Sequence, residues 1–109
     1  MKKLILIAVF IGLTSVSVFA DTFYVKNGTG LWTFYAVYVS YNFSDDWGDD
    51  QLGNEVLEPG ESLRINSALS LSAVTIDFLI IDEDGDTYTI YGKKVRNGGT
   101  VNITLADLD

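Results

Sequence analysis

Four carboxylates surround one tryptophan in Ser44-Asp45-Asp46-Trp47-Gly48-Asp49-Asp50-Gln51-Leu52-Gly53, and a second acidic run follows at Asp82-Glu83-Asp84-Gly85-Asp86. Carboxylates packed this densely repel and raise one another's pKa unless a cation stands among them. Ca²⁺ takes about six to eight oxygen ligands from flexible loops of this composition. Asp45, Asp46, Asp49, Asp82, Asp84 and Asp86 are therefore candidate metal ligands. The second run is not an EF-hand. Counted from Asp82, Thr87 stands where that loop needs glycine and Lys93 where it needs a bidentate glutamate. The plain structural alternative is a hairpin turn with a solvated acidic rim, since turns collect Asp and Gly.

Trp47 also has two readings. As a loop indole it is a stacking platform for a sugar or peptide, which makes it a candidate ligand-binding residue. As a plug it folds back over the end of the domain with its N–H on a carbonyl, and Leu52, Val56 and Leu57 favour this by offering it apolar neighbours. Catalysis finds no support. Histidine and cysteine are absent, which excludes Ser/His and Cys/His nucleophiles, histidine zinc sites and disulfides. Gly28 and Gly30 follow no phosphate-binding pattern. Paired carboxylates could hydrolyse a glycoside, but residues 21–109 leave no room for a deep cleft. The chain reads as non-enzymatic.

The elements that must position these residues begin after a leader. Lys2 and Lys3, the apolar run from 4 to 13, and Val18-Phe19-Ala20 together predict a secretory signal peptide over residues 1–20. That run is too short for the roughly 20 apolar residues of a membrane span. A soluble bacterial protein, periplasmic or secreted, is expected, with no span in the mature chain. Removing Lys2 and Lys3 leaves five basic against fifteen acidic residues, 5 − 15 = −10. That field disfavours nucleic acid and anionic membranes and favours cations or a basic partner.

Residues 21–109 form one domain. Period-two patterning predicts strands near 22–26, 31–42, 62–66, 74–82, 86–92 and 100–105, with 93–96 as a possible extension of the fifth. In the second, Trp32, Phe34, Ala36 and Tyr38 fall on one face and Tyr35, Val37, Val39 and Tyr41 on the other, which suits a central strand. Asp77 falls within the fourth and needs a partner or water. Pro59-Gly60 suits a type II turn, and Asp84-Gly85 a two-residue type I′ hairpin turn. The expected fold is all-β, an antiparallel β-sandwich of six to seven short strands. If successive strands alternate in direction, the acidic residues after strands two, four and six converge at one pole.

Asn27-Gly28-Thr29-Gly30, the run from Ser44 to Gly53, Leu57-Glu58-Pro59-Gly60 and Asp82-Glu83-Asp84-Gly85-Asp86 also carry a resemblance. In this order they resemble a family of small exported bacterial proteins with N-x-T-G, S-D-x-W-G-x-D-x-L-G, L-x-P-G and D-x-D-G motifs. The chain departs from that pattern with Tyr41 where the family tends to have proline and with Phe43 before Ser44. The resemblance implies an exported β-rich domain and adds no catalytic or ligand residues. Two functions follow as expectations: a Ca²⁺-dependent binding module, or a metal-free interaction protein meeting a basic protein or an envelope component. A carbohydrate-binding module built on Trp47 is a weaker third.

Overall fold

The structure, a computed structural model, describes residues 20–109. The predicted signal segment up to residue 19 lies outside the described residues. The rest is all-β: β1 (Thr22–Asn27), β2 (Phe34–Tyr41), β3 (Ser62–Asn66), β4 (Ile76–Asp82), β5 (Thr87–Lys93) and β6 (Thr100–Ile103), with 3-10 turns at Leu71–Ala73 and Leu105–Asp107. The strands form two three-stranded sheets, ordered β3-β1-β6 and β2-β4-β5.

The expectation of a wholly antiparallel fold is corrected by one pair. β1 runs antiparallel to β3 but parallel to β6, with Val25 beside Val101. The second sheet is antiparallel throughout. Its register breaks between Phe34 and Ala36 on β2 and between Ile76 and Phe78 on β4. The first break overturns the expected face assignment of β2, because a bulge shifts the two-residue period by one. Phe34 is thus buried opposite Asp82, while Val37 and Val39 are buried opposite Ile80 and Phe78. Tyr35, at the bulge, is exposed.

Side chains of both sheets contribute to a single buried cluster. Phe23, Val25, Ile65, Val101 and Ile103 come from one sheet, and Phe34, Val37, Phe78, Ile80 and Tyr88 from the other. The Phe23 and Phe78 rings meet edge to face at 6.0 Å, a geometry that adds to simple burial. At Pro59-Gly60 the Glu61 N–H reaches the Glu58 carbonyl at 2.9 Å, and Gly60 has φ +90°, as a type II turn requires.

The β4–β5 hairpin differs from expectation. Gly85 has φ +82° and donates to the Asp82 carbonyl at 2.9 Å, whereas Asp84 keeps a negative φ. This is the three-residue hairpin loop with glycine in the left-handed position, not a type I′ turn. The turn with two positive central φ angles follows β2 instead. Asn42 (φ 55°) and Phe43 (φ 59°) are spanned by a bond from the Ser44 N–H to the Tyr41 carbonyl, 3.2 Å.

Candidate functional site

The acidic segment after β2 does not project from an end of the sheet. It turns back and runs along the outer edge of β2. Ser44 Oγ lies 2.9 Å from Ser40 Oγ, and the Gln51 N–H bonds to the Val37 carbonyl at 2.7 Å. Leu57 then pairs with Phe34 in both directions, at 2.9 and 3.0 Å. Asp50 makes this return possible. Its Oδ1 accepts the N–H groups of Val37 and Leu52, each at 2.9 Å, replacing strand carbonyls where the segment leaves ladder geometry. Asp45, Asp46 and Asp49 remain exposed.

Asp82 is 1% exposed and its carboxylate is fully engaged. Oδ1 accepts the N–H groups of Asp84 and Asp86, both at 3.0 Å, and Oδ2 accepts the Tyr88 hydroxyl at 2.9 Å. Burial first, and then this bond to Asp82, push the Tyr88 phenol well above its ordinary range. Asp84 and Asp86 stand exposed on the turn. Glu83 fastens the turn to the start of β2, accepting the Thr33 N–H at 2.8 Å and donating its own N–H to the Thr33 carbonyl at 2.9 Å.

The expected acidic pole forms only in part: Asp109 accepts the Thr87 and Thr89 hydroxyls at the start of β5, beside the Asp82–Asp86 turn, but the run after β2 starts elsewhere. β2 and β4 are antiparallel neighbours, so Asp82 lies opposite Phe34 and Ile76 opposite Tyr41. The two acidic runs start from opposite ends of β2, about 23 Å apart at roughly 3.3 Å per residue. Alternation of direction along the chain fails because β3 belongs to the other sheet. Among the described residues no three acidic side chains gather as a metal site needs. Trp47 is half-buried and stands outside the core cluster, whereas Leu52 and Leu57 enter it and Val56 stays exposed.

Two buried polar residues complete the picture. Asn27 Nδ2 donates to the carbonyls of Trp32 (2.7 Å) and Leu57 (2.9 Å), and its Oδ1 accepts the N–H (3.1 Å) and hydroxyl (2.8 Å) of Thr29. Asp77, fully buried on β4, accepts the Gly92 N–H at 2.7 Å on Oδ1, and its Oδ2 has no partner among the described residues. The requirement for a partner is half met. The signal for Asn27 in the sequence was the Asn-x-Thr spacing, which suits an Asx turn.

A groove of about 460 Å³ opens between the return segment and the start of β3, lined by Leu52, Glu55, Val56, Leu57, Glu61, Ser62 and Leu63. Its walls join apolar side chains to two exposed glutamates. Glu61 Oε1 also accepts the Glu58 N–H at 2.8 Å. None of these residues was a sequence candidate for a site, because the groove exists only where the return segment and the start of β3 come together across the Pro59-Gly60 turn. No protein-family model matches the chain, and no curated protein or solved structure is significantly similar to it.

Proposed function

We propose that the chain is an exported, non-enzymatic interaction module, a β-sandwich whose acidic flank meets a basic protein or envelope component without needing a metal. The sandwich is supported by the single cluster that draws on both sheets and by the Phe23–Phe78 contact between them. Export is supported by the leader pattern and by the motif resemblance to small exported bacterial proteins.

The observation that carries the binding reading is the division of labour among the carboxylates. Asp50 and Asp82 hold backbone and phenol groups, while Asp45, Asp46, Asp49, Glu55, Glu58 and Glu61 are exposed along one return segment and its turn. Exposed like charges attract a cationic partner and set its association rate and salt dependence. The test is titration of residues 21–109 with a lysine-rich and a glutamate-rich peptide at low and high salt, with Ca²⁺ or chelator present. Binding of the lysine peptide alone, weakened by salt and indifferent to chelator, is the expected result. Absence of cationic binding at low salt removes the reading, and a Ca²⁺ requirement replaces it with the Ca²⁺-dependent one.

A further inference from the structure

We infer that the basic partner is an extended peptide segment that adds as a strand to the free edge of β3 and lays alternate side chains into the Glu55–Glu61 groove; this rests on the proposed reading of a cationic partner.

β3 has β1 on one side only. The Asn27 N–H bonds to the Glu61 carbonyl and the Ser67 N–H to the Asp21 carbonyl, both at 2.9 Å. In an antiparallel ladder alternate residues face the partner, so 61, 63, 65 and 67 turn their backbone toward β1. Ser62, Arg64 and Asn66 turn theirs outward, and among the described residues no group bonds to them. The corresponding flank of the other sheet is closed, since the return segment covers the edge of β2 from Val37 to Phe34. The open edge of β3 thus borders the groove beside the return segment.

The groove has a chemistry. Leu63, half-buried on β3, and Leu52, Val56 and Leu57 on the return segment give it an apolar floor, and Glu55 and Glu61 give it an acidic rim. An added strand places every second side chain toward that floor, with main-chain hydrogen bonds supplying affinity. Lysine or arginine at every second position fits this pattern, its aliphatic stem along the floor and its charge at the acidic rim, with apolar residues between them on the Arg64 side. Arg64, exposed on the opposite face of β3, discourages a cation beside it. The acidic rim therefore selects a peptide whose basic residues lie toward the β2 side.

The experiment uses residues 21–109, a capped six-residue peptide of alternating lysine and valine, the same peptide N-methylated at alternate amides, and a glutamate–valine control. Binding is read by fluorescence anisotropy and by amide shifts in ¹⁵N spectra. The lysine–valine peptide should bind and shift the Ser62, Arg64 and Asn66 amides, while the N-methylated peptide binds about tenfold more weakly through lost main-chain bonds. Arg64→Pro removes an outward N–H at an edge position that tolerates proline, and Glu55→Lys reverses an exposed charge without touching the core. Each should weaken binding about tenfold while thermal unfolding confirms the fold. Equal binding to both variants, or shifts confined elsewhere, overturns the edge assignment and leaves the acidic-partner reading intact. Failure of every cationic peptide at low salt overturns both.

Discussion

At the scale of single residues, the buried one of the six candidate metal ligands, Asp82, holds the backbone in place, and so does Asp50, which was not a candidate. Asp82 closes the β4–β5 loop with two N–H bonds and satisfies the buried Tyr88 hydroxyl. Asp82→Ala should cost about 3 kcal/mol in urea unfolding, because it also orphans a buried phenol. Asp84→Ala and Asp86→Ala, exposed on the same turn, should stay within about 0.5 kcal/mol. Asp50→Ala removes an acceptor from two N–H groups and should cost about 2 kcal/mol, with Asp50→Asn recovering part of it through the remaining amide oxygen. Tyr88 gives a pH signature. Its pKa is raised by folding from the ordinary 10.0, so the unfolded chain releases the phenol proton first as pH rises. Its contribution is intact below pH 10 and erodes above, by at most about 1.4 kcal/mol per pH unit. Tyr88→Phe should flatten that part of the stability curve. The roles of Asp50 and Asp82 were hidden in the sequence because a carboxylate reads alike whether its oxygens face a cation or an N–H.

Individual elements were far more legible than their pairing. The alternation that predicts strands at 62–66 and 86–92 finds β3 at Ser62–Asn66 and β5 at Thr87–Lys93, since period two and turn residues are local signals. The parallel β1–β6 pair and the antiparallel β2–β4 pair depend on which segments cross between sheets, and no local pattern encodes that. Bulges are equally silent. β5 meets the β4 irregularity near Asp77 through Gly92, which has φ +67° and donates its N–H to Asp77 Oδ1 at 2.7 Å. A Cβ at Gly92 would also fall 2.9 Å from the Phe43 ring. Gly92→Ala combines a left-handed backbone with that clash and should destabilise the domain by about 2 kcal/mol or more. Gly98→Ala, at φ +80° with open space around it, isolates the backbone part and should cost about 1–2 kcal/mol. The excess of the first over the second, measured by urea titration, reports how firmly the Phe43 ring is held against Gly92.

For the whole molecule, the motifs behind the family resemblance prove to be scaffold. Asn27 and Thr29 lock the β1–β2 turn to Leu57, Asp50 fastens the return segment, Pro59-Gly60 makes its turn into β3, and Asp82 closes the hairpin. What remains available for recognition is the surface between them, and that surface is dominated by charge: fifteen acidic residues against five basic ones over residues 21–109. Self-repulsion of this size opposes the folded state, and salt relieves it. Raising NaCl from about 0.01 to about 1 M shortens the screening length from about 30 to about 3 Å, so the thermal midpoint of residues 21–109 should rise across that range. A specific Ca²⁺ site would behave differently, because ligand at about 100 times its Kd adds roughly 2.7 kcal/mol beyond any screening. With the two acidic runs starting from opposite ends of β2 and the Asp82 oxygens already engaged, MgCl₂ and CaCl₂ at equal ionic strength should raise the midpoint equally. A Ca²⁺ excess over Mg²⁺ that Asp45→Asn or Asp49→Asn abolishes would show that the exposed carboxylates draw together around a cation after all.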